Sequence, residues 1–561
     1  MPKVSHQLIL ALIVPVLFHA TNLHAETKQP KLAVILVYDQ MRGDYLTRWQ
    51  HLFQEGGFKR VCQQGAWFQN CRYPYGITMT AAGHASIGTG CVPSQHGIVG
   101  NDWWEPATKK TVYAVESDRW KKRIWAEGVP LSDENAGSPE RLLVRTLGDR
   151  LKAKNGDASK VIAISAKDRS AILMGGAESD ATYWLDKTGY FATSTFYGEK
   201  VHDWVKRVND SKPMDRWFGK SWERCRPDVD YDKEAGPDDV VGEGNGIGQG
   251  RTFPHPFSKG KTKPDKDYYE AVVTSPMASD ALLDLAIEAI HAEKLGQREA
   301  PDLLCVSFSS NDLVGHSWGP DSQEVLDVTL RSDQQLKRLL DELDRTVGKD
   351  NYVVTISADH GVCPLSEVLK AKGIDGGRLF VKEMIKDADA FLNEHYKTKD
   401  QKWIAEGINT WIALNVDTIL SNKLDREEVA ATLARWLETQ PHVWFARTRS
   451  ELGTGATPEE ETVEALRLSY RPERSGDVIV VPKLHYFFAF ALTGTSHGTP
   501  HPYDRHVPGI YYGASIKPGV RDTLINPQAI APTYCKLLGL ETPTTVFGKV
   551  PDGLIIESKS P

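Results

Sequence analysis

Cysteine is scarce in this chain, with seven residues among 561, and no two of them are spaced as C-x-x-C. That excludes a zinc-ribbon scaffold and a disulfide-dense secreted fold. Cys62 and Cys71 are the nearest plausible pair, and Cys305, inside the apolar run LLCVSF, reads as a buried core thiol. There is also no basic excess. The formal net charge is -7, with Lys and Arg spread along the length, so a nucleic-acid scaffold is not expected. Internal repeats and low-complexity tracts are missing, and beyond the first residues there is no long apolar run that would cross a membrane.

The first residues have a composition of their own. Lys3, the apolar stretch Leu8 to Phe18 and the small residue Ala25 read as a signal peptide over residues 1–25. At about a dozen residues the apolar stretch falls short of the roughly 20 that a span requires, although an uncleaved anchor stays an alternative. The expected product is a monomer in the periplasm or outside the cell, with no stable membrane span after cleavage.

Beyond that point strand-like and helix-like segments alternate. LAVILVY (32–38), VIAIS (161–165), LLCVSF (303–308) and YVVTIS (352–357) are nearly continuous apolar runs, as in strands buried on both faces of a parallel sheet. Helical patterns such as SPMASDALLDLAIEAIHAEKLG lie between them, and Ser322 is placed to cap the helix that follows it. The pattern predicts an α/β fold, a mostly parallel central sheet flanked by helices, in one domain over 26–561. Residues near 176–270 and 365–485 read as insertions capping that sheet. The glycine-rich piece GEGNGIGQG follows no predicted strand and reads as a flexible surface loop, not a phosphate cradle.

Chemistry gathers at the carboxyl ends of the strands, where open α/β sheets bind ligands. Asp39, Asp312 and the Asp359-His360 pair each follow a predicted strand, which points to a metal site. Asp312 and His316 are four apart, on one face of a helical turn, so both can grip one ion. His497 is a candidate third ligand to it, and Asp39, Asp359 and His360 suit a second ion. Mixed carboxylate and imidazole ligation suits zinc.

The segment TMTAAGHASIGTGCVPSQHGIVGNDWW resembles the nucleophile region of the alkaline phosphatase superfamily. The branch is the one shared by nucleotide pyrophosphatase/phosphodiesterases and phosphate-irrepressible, zinc-dependent alkaline phosphatases. Thr80, His84, Thr89-Gly90, Pro93, His96-Gly97-Ile98 and Asn101 fill its pattern. Asp39, Asp312 with His316, Asp359 with His360, and the H-G-T-P run at His497 follow in the family's order. The resemblance spans residues 39 to 497. It implies an alkaline phosphatase-like fold and two Zn2+ per chain, one on Asp312, His316 and His497, the other on Asp39, Asp359, His360 and the alkoxide of Thr80. Thr80 would become phosphorylated. Thr78 is the rival nucleophile, and His84 and His96 read as supporting or packing residues.

Lys167 and Arg169 follow the strand VIAIS and, in an extended chain, project to one side. Together with the Asn101 amide they would favour a doubly charged phosphate monoester, and they resemble the monoesterase branch. The expected activity is therefore an alkaline phosphatase acting on small phosphate monoesters. A phosphodiesterase is the alternative, and a non-catalytic zinc protein a remoter one. Cys91-Val-Pro-Ser-Gln nearly matches a sulfatase signature, but Gln95 stands where that signature has Arg. Trp103 and Trp104 either line the leaving-group side or pack a cap.

Overall fold

The computed structural model describes residues 29–130, 132–408, 410–453 and 461–557. The signal-peptide reading of residues 1–25 falls outside them. The four apolar runs are strands: Leu32–Tyr38, Val161–Ser165, Asp302–Phe308 and Tyr352–Ser357. Every residue in these strands is buried, which explains why their sequences do not alternate. Each fully buried aliphatic side chain there contributes roughly 1.5–3 kcal/mol to the core.

They belong to a ten-stranded sheet. From one edge to the other its strands are Gly519–Arg521, Ala66–Phe68, Ile510–Gly513, Tyr352–Ser357, Leu32–Tyr38, Asp302–Phe308, Val161–Ser165, Ala181–Leu185, Phe191–Ser194 and Lys122–Ile124. The five central strands, Tyr352–Ser357 through Ala181–Leu185, run parallel. Antiparallel pairings begin on either side of them. Helices fill the crossovers, among them Met277–Ala292 and Gln323–Thr346. Ser322 caps the second, its side chain accepting from the Val325 N–H at 3.2 Å.

The stretch 176–270 is only partly an insertion. Ala181–Leu185 and Phe191–Ser194 are strands of the central sheet itself; their short apolar runs are flanked by Asp, Gly and Lys turns that hide the period. Residues 365–485 hold a separate four-stranded antiparallel sheet and their own apolar cluster around Trp403, Leu433 and Val480. That region is tied back by the strand Gly377–Phe380, which pairs with Tyr486–Ala489.

Two local expectations change. Cys62 and Cys71 are both buried free thiols and do not pair. The loop at 242–250 is anchored: Gly244 N–H donates to Ser317 O at 2.6 Å, and Glu243 and Gln249 are buried. No described helix is long and apolar enough to cross a membrane.

Candidate active site and metal centre

Parallel strands that end side by side bring distant residues together. Asp39 directly follows Leu32–Tyr38, and Asp359 and His360 lie just past Tyr352–Ser357. Asp312 and His316 share a face of the helix Ser310–Trp318, as their spacing requires. His497 arrives from a loop held by Thr495, whose N–H donates to His316 O at 3.0 Å.

Two groups of donor atoms result. Those of Asp39, Asp359 and His360 lie within 4.8 Å of one another, as do those of Asp312, His360 and His497. His360 thus stands between the groups, its ring stacked on His497 with centroids 3.5 Å apart. His316 sits on the outer side, its Nε2 3.2 Å from Asp312 Oδ1 and its side chain about a third exposed. Thr80 Oγ1 is 3.4 Å from His360 Nε2.

The imidazoles share one arrangement. The Nδ1–H of His316, His360 and His497 donates to the backbone carbonyls of Thr495, Gly361 and Thr78, at 2.8, 2.9 and 2.7 Å. A carbonyl can only accept, so each neutral ring carries its proton on Nδ1 and turns the Nε2 lone pair toward the carboxylates. Such outer hydrogen bonds are how proteins fix a ligating histidine. Burial, with His360 and His316 nearby, holds His497 well below its usual range, and burial lowers His360 too. Asp39 Oδ1 and Asp359 Oδ2 are buried without a hydrogen-bond partner among the described residues, 3.7 and 3.3 Å from His360 Nε2. Donor lone pairs that converge without protons between them fit a metal cofactor.

The electrostatics agree. Burial and the like charges of Asp312 and Asp359 push Asp39 well above the usual carboxylate range. Burial opposes ionisation of Asp312 as well, but Lys167 and His316 outweigh it and hold the group well below that range. Lys167 Nζ bridges the two, 2.7 Å from Asp39 Oδ2 and 2.6 Å from Asp312 Oδ2. One ammonium against three buried carboxylates leaves negative charge for cations to balance.

Thr80 opens the helix Thr80–Thr89, and the Ala81 N–H donates to Asn101 Oδ1 at 2.8 Å. That bond fixes the amide so that Nδ2 is left to donate elsewhere. Thr78 instead donates its hydroxyl to Thr499 O at 3.1 Å. His84 joins Thr80 O to Ser307 Oγ, and His96 joins Ser86 Oγ and the Ile98 N–H, so both hold the helix in place. Gly83 lets this helix approach the metal groups: a Cβ there would meet Asp359 O at 2.3 Å. Gly83→Ala should therefore lower stability by about 1–3 kcal/mol, read from denaturant unfolding; an unchanged midpoint would show that the two segments part freely.

The period-two argument for Lys167 and Arg169 is corrected. The strand ends at Ser165, Lys167 is the N-cap of the helix Asp168–Gly175, and Arg169 lies in its first turn. Arg169 Nη1 donates to Tyr113 OH at 3.2 Å. Trp103 is buried under the guanidinium groups of Arg141 and Arg474, and with Trp104 it lines a cavity shared with Val99, Asp102 and Trp411. Gln95 accepts the Val92 N–H and caps a short turn, and the neighbouring Cys91 thiol is buried and raised by burial.

Sequence reasoning missed Gln40. Its N–H donates to Asp359 Oδ1 at 3.0 Å and its Nε2 to Asp312 Oδ1 at 2.7 Å, so it ties the two groups together. Its place beside Asp39 was the available signal. It also missed Asp168, which lies between the two cations, and Tyr113.

The fold is that of the alkaline phosphatase-like hydrolases anticipated above, and its strand-end residues form groups that fit a metal cofactor. The chain matches the sequence model of the type I phosphodiesterase / nucleotide pyrophosphatase family over residues 33–504, and it belongs to that family. Within it the chain is of the alkaline phosphatase kind, a phosphoric monoester hydrolase. It is 35% identical to alkaline phosphatase PhoV of Synechococcus elongatus, over 93% of this chain and 92% of that one. It is 33% identical to alkaline phosphatase PafA of Elizabethkingia meningoseptica, over 93% and 94%. A crystal structure of wild-type PafA superimposes with a TM-score of 0.87 at 32% identity, covering 94% of this chain and all of that one. A PafA variant with one Thr, one Asn, one Lys and one Arg replaced superimposes with the same TM-score, at 31% identity and the same coverage.

Proposed function

We propose that this alkaline phosphatase hydrolyses phosphate monoesters through a phosphothreonine at Thr80, with two zinc ions held by Asp312, His316 and His497 and by Asp39, Asp359, His360 and Thr80. The observation that carries the reading is the position of Thr80 Oγ1 beside His360, at the head of a helix and at the junction of both donor groups. Carboxylate and imidazole donors without thiolate suit zinc. When bound, the ions would supply Lewis acidity that lowers the Thr80 hydroxyl pKa and offsets charge on the phosphoryl oxygens.

The chain's own groups do the rest. Thr80 Oγ attacks phosphorus and the ester oxygen leaves; water then cleaves the phosphothreonine and restores the hydroxyl. Asn101 Nδ2, Lys167 Nζ and the Arg169 guanidinium donate to the phosphoryl oxygens. A monoester is a dianion, so two cations select it over a singly charged diester. The PafA variant described above replaces the same four residue types at the same sequence intervals as Thr80 and Asn101, and Lys167 and Arg169. The apolar Leu8 to Phe18 stretch supports export to the periplasm or beyond, and we take the enzyme to act there as a monomer.

Metal analysis joined to a rate comparison tests this. Two zinc equivalents per chain are expected, with kcat/KM for p-nitrophenyl phosphate well above that for bis-p-nitrophenyl phosphate. The reverse preference would make the enzyme a diesterase. Asp312→Asn or His497→Ala should lower zinc content and rate together; two full equivalents after either change would overturn the ligand assignment.

A further inference from the structure

Asn101 leads directly into a two-stranded hairpin, Asp102–Glu105 with Lys110–Tyr113, in which Asp102 pairs with Tyr113. The Ala114 N–H donates to Asn101 O at 2.8 Å and closes the hairpin's base. Tyr113 is therefore fixed beside Asn101 by backbone pairing. Its hydroxyl donates to Asp168 Oδ1 at 2.6 Å and accepts from Arg169 Nη1 at 3.2 Å. Asp168 Oδ1 also accepts the Arg169 N–H at 2.7 Å. Among the described residues, Tyr113 is the hydrogen-bond acceptor of the Arg169 side chain, whose Nε is buried without a partner.

We infer that Tyr113 and Asp168 are positioning residues that lock Arg169 onto the phosphoryl position served by Asn101, and so set the preference for dianionic monoesters. The inference rests on the proposed contact between Arg169 and substrate. Its physical basis is geometric. A guanidinium has five donors on a flexible stem, and phosphoryl recognition needs it held in one plane. The phenol takes one Nη1 donor, leaving the others to the substrate, while Asp168 takes the phenol's proton as a hydrogen bond and cannot turn away, because the Arg169 N–H holds it. The hairpin unites both sides: its first strand starts directly after Asn101 and its second ends at Tyr113. Its outer end is propped by the inserted region, through an ion pair between Lys109 and Asp417 and a hydrogen bond from Thr111 Oγ1 to Glu406 Oε2 at 3.4 Å.

The test is a double-mutant cycle on the full-length, zinc-loaded enzyme. Tyr113→Phe keeps the ring and removes the hydroxyl, and should lower kcat/KM for p-nitrophenyl phosphate by about tenfold, as expected when a charged contact is loosened instead of removed. Inhibition by inorganic phosphate should weaken in parallel, while kcat/KM for bis-p-nitrophenyl phosphate changes by less than about twofold. Asp168→Asn should shift the same ratio in the same direction. In an Arg169→Ala background Tyr113→Phe should cost nothing further. The inference fails if Tyr113→Phe slows both substrates equally, or if its full cost persists without Arg169. If Arg169→Ala itself leaves the monoester-to-diester ratio unchanged, the substrate contact of Arg169 is wrong, and the inference falls with it.

Discussion

Thr80→Ala should cut turnover of p-nitrophenyl phosphate by about 10^4-fold or more, the scale on which loss of an attacking group is felt, while stability is retained. The substitution removes a hydroxyl and a methyl from the first turn of a helix whose next two residues are already alanine. The three carboxylates and the Nδ1 hydrogen bonds of the three imidazoles stay in place, and His360 loses only its 3.4 Å contact with Thr80 Oγ1, so elemental analysis should still find zinc. Acid quenching with a 32P-labelled monoester should leave label on the parent protein and none on the variant. Turnover within tenfold of the parent would remove Thr80 as nucleophile. Thr78 would not inherit the role, because its hydroxyl is bound to Thr499 O.

Removing both cations tests selectivity. In the Lys167→Ala, Arg169→Ala double variant, kcat/KM for a monoester should fall by about 10^3-fold, two charge-assisted contacts being lost in the transition state. The loss for a diester should stay below about tenfold, since it offers one charge fewer to either group. Lys167 also bridges Asp39 and Asp312, so the rates must be compared at saturating zinc. Burial works against the Lys167 charge, and the carboxylates of Asp312 and Asp39 outweigh it and raise its pKa. Equal losses on both substrates would sink the argument that these residues read phosphoryl charge.

The gathering of these donor residues was legible because several of them follow uninterrupted apolar runs. A strand buried on both faces announces itself by composition, and its end locates the next polar residue in space as well as in sequence. Asp39 and the Asp359-His360 pair were readable in that way, and the Asp312-His316 spacing was readable from helical periodicity. Lys167 and Arg169 were named on their resemblance to the monoesterase branch and on strand alternation, and the second reason does not hold. The strand stops at Ser165 and Asp168 opens a helix, so the two cations meet through a change of backbone, not through strand alternation. Gln40 was signalled only by its place beside Asp39, since it takes a left-handed backbone, φ 67°, that goes with its contacts with Asp312 and Asp359 and not with local propensity. The glycine-rich loop was misread for a similar reason: the Ser317 carbonyl that holds it lies far along the chain.

The backbone carbonyls that orient the three imidazoles come from Thr78, Gly361 and Thr495, and His497 is the last of the donor residues in the chain. A polypeptide is made from its N-terminus, so these segments appear in that order. Asp39, Asp359 and His360 are then present while His497 and the segment that steadies His316 are still to come. Of the residues in the two donor groups His497 is therefore the last to be made, and a chain stalled or clipped before residue 497 keeps the Asp39, Asp359 and His360 group whole and lacks one member of the Asp312, His360 and His497 group.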